Sequence, residues 1–352
     1  MGTITFLLVL SFLVFFHELG HFLAARYFGV KVHVFSIGFG KQIFAKQYKG
    51  TTWQLALIPL GGYVQMKGQD DRNPNLKEDG NDSYNTKRPW QRIVILFAGP
   101  FANFILAAIL YFSIAMMGAT TWASQVGVVQ ENSPAFHAGI KTNDEIIKIN
   151  ETEIKSWDEI GKTITSTQGD LKFFIKRDGV IIAKTINPLV SDSENMFKEK
   201  IKKRMIGISP SGKVINLDLS VGESIVYAYE KTVFASTMIF QGVQKLIQGV
   251  IPSSEVGGVI TIGKVISDAS ESSIIALFAI TALISVNLGV LNLLPIPALD
   301  GGHIMFNIYE MITRRKPSDQ VFMFLTIMGW VILGSLMLLG IYNDITRIFL
   351  NN

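Results

Sequence analysis

The stretch from Thr3 to Phe16 carries no charged residue and runs straight into His17-Glu18-Leu19-Gly20-His21. A segment this apolar is long enough, with the residues that follow, to cross a bilayer, and in lipid its backbone polar groups must be satisfied internally, which predicts a helix. On a helix the two imidazoles lie one turn apart on one face, where they can hold a single metal ion, and the Glu beside them can take a proton from an attacking water. Ionisable side chains at such depth are costly, and their default reading is functional. The plain alternative is two histidines snorkelling at a membrane interface beside a Glu.

Composition fits a membrane chain. Of 352 residues, 49% are hydrophobic and 17% are charged, against ~25% charged in an ordinary soluble domain. The apolar residues are unevenly spread, which points to spans plus a water-soluble insert. A net charge of +4, scattered, with no basic patch interleaved with aromatics, argues against nucleic acid as a partner. With no cysteine there are no disulfides and no thiolate ligands, so His and carboxylate must hold any metal. The first run lacks a basic n-region and a small-residue cleavage site, and it reads as a retained span.

In chain order, residues 1–26 are the first span. Residues 27–68 alternate apolar and polar and are punctuated by Gly38, Gly40, Gly50, Gly61 and Gly62, the pattern of strands and turns. The segment Leu55 to Tyr63 is more apolar than a surface hairpin needs. It reads either as a β element buried at membrane depth beside the metal or as a hairpin packed under the spans. Residues 69–92 are a polar loop and 93–117 a second span, opening with Gly99-Pro100-Phe101-Ala102-Asn103. The small residues allow close helix packing, and Asn103 needs a partner, either a neighbouring helix or the site itself. Residues 118–190 read as a small β-rich domain, and 191–272 as a linker with amphipathic interfacial helices, since Glu223 to Ile251 is apolar yet carries Glu230, Lys231, Gln241, Gln244, Lys245 and Gln248. The run Lys198 to Arg204 reads as a solvated basic face. A third span over 273–302 breaks at Pro295 and Pro297 and ends in Asp300-Gly301-Gly302, an arrangement suited to presenting a carboxylate. Residues 303–320 are a loop and 321–345 a fourth span.

Basic residues set the orientation. Arg26, Lys31, Lys41, Lys46, Lys49, Lys87, Arg88 and Arg92 place the connection between spans one and two in the cytoplasm, and Arg314, Arg315 and Lys316 do the same for spans three and four. The long segment between spans two and three is then exported. His17 lies about 21 Å along its helix from Thr3, inside a core ~30 Å thick, and so towards the cytoplasmic side. Asp300 arrives at that same side only if Glu223 to Ile251 is not a span. The fold expected is therefore membrane α-helical, with four transmembrane helices, a β element and one exported β-rich domain.

His17-Glu18-x-x-His21, Gly99-Pro100-x-x-Asn103 and Asn292-x-x-Pro295-x-Pro297-x-x-Asp300-Gly301 together resemble the site-2 protease family of intramembrane zinc metalloproteases (peptidase family M50), in order and over nearly the whole chain. The segment Gly127 to Asn150 resembles a PDZ domain of the bacterial type. The resemblance implies a zinc ion held by His17, His21 and Asp300, with Glu18 as catalytic acid and base. It implies that Asn287 and Asn292 orient the substrate or steady the oxyanion. It also implies that Gly38 to Val64 is a membrane-embedded β element, whose edge residues Gly62, Tyr63 and Val64 would meet an unwound substrate. The implied activity is cleavage within the transmembrane segment of a single-pass protein, typically an anti-sigma factor, in the bacterial inner membrane. A periplasmic PDZ domain would bind peptide termini. The anti-sigma-cleaving branch carries two PDZ domains in tandem and only one is visible here, which bears on the pathway and not on the chemistry.

Two other functions account for parts of the sequence. A zinc transporter would need polar residues along a whole route through the bilayer, and spans two and four offer almost none. A non-catalytic scaffold would not need Glu18. His303, three residues after Asp300, is a rival ligand, but it follows two glycines and suits a supporting place better. His33 and His137 read as ordinary polar histidines.

Overall fold

The computed structural model describes residues 2–69 and 80–349, which divide into two compact units, Met1–Ile114 with Gly222–Asn352 and Ala115–Val221. In the first, α1 (Gly2–Tyr27), α2 (Pro89–Met116), α7 (Ile274–Asn292) and α9 (Asp319–Phe349) are long and apolar enough to cross a membrane. Large apolar side chains such as Phe324, Ile327, Trp330 and Leu338 stay exposed on α9, as expected of a surface meant for lipid rather than water. The chain is a multi-pass membrane protein. The long helix α5 (Val221–Ile247) is not among the candidate spans.

Two strands follow α1: β1 (Val32–Tyr48) and β2 (Thr51–Met66). Their pairing folds each on itself. Residues 32–37 pair with 62–66 on one side and with 52–55 on the other, while 42–48 pair with 51–56. The result is four antiparallel segments in the order 42–48, 51–56, 32–37, 62–66, with 62–66 at an edge. The bend in β1 falls at Gly38, whose φ of +90° and position 2.7 Å (for a built Cβ) from the Ile58 carbonyl admit no side chain. Aromatic rings fix this sheet to α1: Phe35 stacks on Trp53 at 4.5 Å, and Phe22 meets Trp53 at 5.0 Å and Phe35 at 5.8 Å.

Of the loop expected over 69–92, residues 70–79 lie outside the described residues. The remainder is tied to the strand ends, with Lys67 Nζ donating to Asp82 at 2.7 Å and the Lys31 N–H to the Asp82 carbonyl.

The unit Ala115–Val221 carries β3 (Thr120–Trp122), β4 (Val126–Val129), α3 (Pro134–His137), β5 (Glu145–Ile149), β6 (Thr152–Glu153), α4 (Trp157–Ser166), β7 (Leu171–Arg177), β8 (Val180–Ile186), β9 (Leu189–Glu194), β10 (Lys200–Met205), β11 (Ile208–Pro210) and β12 (Val214–Asn216). A sheet in the order β6-β5-β7-β8 and helix α4 enclose Ile146, Ile149, Ile160, Phe173 and Ile175. Buried Asp144 receives both Nε and Nη2 of Arg177 at 2.7 Å. The expected domain edge at 190 falls short. Strand β11 pairs with β4 and β12 with β3, so the unit closes only when residues 208–216 return to its start. The basic run 198–204 lies mostly on strand β10, with Lys198, Lys200 and Lys202 exposed as expected, while Arg204 reaches the Gly169 carbonyl at 2.5 Å.

Two short helices precede and follow α7: α6 (Val259–Ser272) and α8 (Asp300–Thr313). The loop expected from residue 303 is therefore helical, because the prolines end α7 and Leu299 caps a new helix in extended backbone. Buried Asp344 of α9 accepts from the N–H groups of Gly258 and Ile260 at 2.9 Å, satisfying the start of α6 from another helix.

Candidate metal centre

His17 and His21 occupy one face of α1, with their Nε2 atoms 3.2 Å apart. Asp300 Oδ2 lies 3.3 Å from His17 Nε2 and 3.5 Å from His21 Nε2. Tetrahedral zinc with bonds of ~2.0–2.1 Å has ligand–ligand edges of roughly 3.3–3.4 Å. The three donors form such a face, and the donor set, two imidazoles and a carboxylate, suits zinc and leaves a fourth position open. The residues present therefore fit the ion.

Each donor is aimed by its neighbours. His21 Nδ1 sits 2.9 Å from the Ile95 carbonyl, an acceptor only, so Nδ1 carries the proton and Nε2 offers its lone pair. This contact requires α1 and α2 to touch. A Cβ on Gly99 would stand 2.2 Å from His21 Nε2, and one on Gly20 would stand 2.1 Å from the Ala98 carbonyl. Gly99→Ala should therefore push His21 off its carbonyl. Purified protein should hold much less zinc by elemental analysis, whereas Gly334→Ala on α9, where nothing lies within 4 Å and φ is ordinary, should not.

Asp300 is delivered by the break in the third span. Built Cβ atoms on Gly301 and Gly302 would fall 2.3 Å from the Leu294 and Ile296 carbonyls, so both glycines are needed for α8 to start hard against the unwound segment. Gly329 of α9 packs on the same segment, with a built Cβ 2.7 Å from Ala298 N.

Glu18 faces the edge strand. The Val64 N–H is within hydrogen-bonding reach of its carboxyl, and a Cβ on Gly62 would lie 3.3 Å from Glu18 Cγ. Tyr63 stacks with Phe39 at 6.1 Å, and its hydroxyl accepts from Gln54 Nε2 at 3.1 Å. Asn287 and Asn292 are half-buried on α7, whose buried Ser285 donates to the Asn103 carbonyl at 2.7 Å. His303 stays outside the cluster and packs on the rings of Phe306 and Phe322, at 6.3 and 5.7 Å.

Sequence reasoning did not find the ion pair between Arg92 Nη2 and Glu310 Oε2, 2.7 Å apart and largely buried. A lone charge at each end of adjacent apolar segments was the available signal.

The family model for peptidase family M50 matches residues 5–336. A Campylobacter jejuni protein provisionally named a zinc metalloprotease is 48% identical over 97% of this chain and 92% of its own length. A Helicobacter pylori protein of the same provisional name is 39% identical over 97% and 98%. Metalloprotease MmpA of Caulobacter vibrioides is 32% identical over 98% and 95%. With matches of this extent, the chain belongs to peptidase family M50 and is a zinc metalloprotease.

Proposed function

We propose that this protease cuts its substrates inside the membrane, within the transmembrane segment of a single-pass protein. The observation that carries this is that His17 and His21, on a helix apolar enough to be a span, meet Asp300, which follows a second such helix, α7, in the chain. Catalytic groups so placed serve a peptide bond that lies in the bilayer.

His17, His21 and Asp300 would hold the ion, which when bound polarises the scissile carbonyl and acidifies the attacking water. Glu18 accepts the proton from that water and returns it to the leaving amine, two uses of one carboxyl that its place beside His17 allows. Asn292, with Asn287, is placed on α7 to donate to the developing oxyanion or to steady the substrate strand. A substrate helix has no free backbone groups and must unwind first. The edge at Gly62, Tyr63 and Val64, next to Glu18, offers main-chain partners to the unwound strand by β-augmentation. In this reading the sheet of β1 and β2 is embedded in the membrane.

The β-rich unit is a PDZ-like module on the exported side of a bacterial inner membrane, and α5 lies in the interface. A cavity of about 330 Å³ lined by Val128, Trp157, Ile160, Ile164 and Ile208 supports peptide binding there. An anti-sigma factor already trimmed outside is the substrate class we favour.

The test is Glu18→Gln, assayed in cells with tagged single-pass membrane proteins. It should keep zinc and lose cleavage by at least the 10²–10⁴-fold that a positioned acid–base group supplies. Undiminished cleavage would refute the assignment.

A further inference from the structure

Resting on the zinc site just proposed, we infer that Asn103 is a positioning residue for His17, with its side-chain oxygen, not its NH2, turned to the imidazole. Asn103 is fully buried on α2, and its amide nitrogen as placed is 3.2 Å from His17 Nδ1. The oxygen and nitrogen of an amide are told apart only by their surroundings. If the NH2 donates to Nδ1, the His17 proton must sit on Nε2. That atom is 3.2 Å from His21 Nε2 and 3.3 Å from Asp300 Oδ2, so the proton would block the point where the three donors converge. With the amide turned over, the oxygen accepts from Nδ1–H and Nε2 is left with a free lone pair. The other arm of the amide meets no partner among the described residues, so it does not set the orientation, and the ring does.

The turned arrangement repeats what α2 does for His21. There the Ile95 carbonyl takes the Nδ1 proton at 2.9 Å, and here a side-chain carbonyl of the same helix takes it. One helix thus sets both imidazoles in the same tautomer, each with Nε2 inward. Asn103 is held for this task, because its backbone carbonyl accepts the Ser285 hydroxyl of α7 at 2.7 Å. That bond does not depend on the Asn103 side chain, so it survives substitution.

The experiment measures zinc affinity of the purified full-length protein in detergent by competition with a chelator. Asn103→Leu should weaken zinc binding 10–100-fold, the loss usual when the partner of a ligating His is removed. Asn103→Asp keeps the shape and an accepting oxygen, and it should bind zinc within a few-fold of wild type or tighter. Thermal unfolding of each variant without metal, compared with metal-free wild type, separates loss of fold from loss of affinity. If Asn103→Leu does not fold, Asn103→Asp decides alone. A loss in Asn103→Asp as large as that in Asn103→Leu would mean that the NH2 is the working arm, and unchanged affinity in Asn103→Leu would mean that the contact is idle. Either result overturns the inference while leaving the zinc site intact. Wild-type protein with no zinc would instead remove the site reading beneath it.

Discussion

Asp300→Ala should yield a chain that still folds but purifies without zinc and does not cleave, while His303→Ala should keep both properties. One of three donors is removed in the first case. The loss of affinity should exceed the 10–100-fold that follows from removing a supporting partner. What remains is His17 and His21 with their Nε2 atoms 3.2 Å apart and no anionic ligand among the donors. The fold should tolerate the change. Asp300 is the first residue of α8, where its charge favours the helix N-terminus by roughly 0.3–1 kcal/mol, and the close packing of that turn rests on Gly301 and Gly302 instead. His303 is one turn on and spends its ring on Phe306 and Phe322. Elemental analysis of the two purified variants checks this. Zinc retained in Asp300→Ala and lost in His303→Ala would reverse the assignment of the third ligand.

The readable part of this site was the part written in short range. His17 and His21 are one helical turn apart, so their meeting needs only a helix, and the apolar run supplies that. Asp300 was legible because proline, glycine and a lone carboxylate at the end of a greasy segment have few structural uses. The strands and turns of 27–68 are legible in the sequence, and the family resemblance implies an edge at Gly62, Tyr63 and Val64, but the way β1 and β2 pair is not. That residues 32–37 sit between two partners depends on the stacking of Phe35 with Trp53, which has no local signature, while the bend that allows it is marked only by Gly38. The end of the β-rich unit was misplaced for the same reason. Residues 208–216 complete the sheets begun at 120–129, and a chain that returns to pair with its own start gives no composition change where it closes. The contact of Asn103 with His17 spans 86 positions of sequence, and sequence alone left its partner open between another helix and the site.

Long range also hid Arg92 and Glu310, and the largest stability effect should be found there. Arg92 precedes the apolar part of α2 and Glu310 lies near the end of α8, ten positions or about 15 Å of helix beyond Asp300. Their 2.7 Å contact ties the helix that supports both histidines to the helix that begins with the carboxylate. The Arg92 side chain is 9% exposed and that of Glu310 16%, so water does little to screen the pair, and the Arg92 Nε has no partner among the described residues. Removing one member leaves the other charge buried and unpaired, a change that typically costs 3–5 kcal/mol. Glu310→Ala and Arg92→Ala should therefore each lower the unfolding temperature in detergent sharply. Each should also weaken zinc binding, since α8 loses its tie to α2 at the end away from Asp300. Replacing both at once, Arg92→Met with Glu310→Leu, removes the charges together and fills the space, and it should recover most of the stability. A double variant as unstable as the two single ones added together would show that the two residues act independently. Zinc affinity restored along with stability would show that the pair serves the metal centre by holding α8 in place.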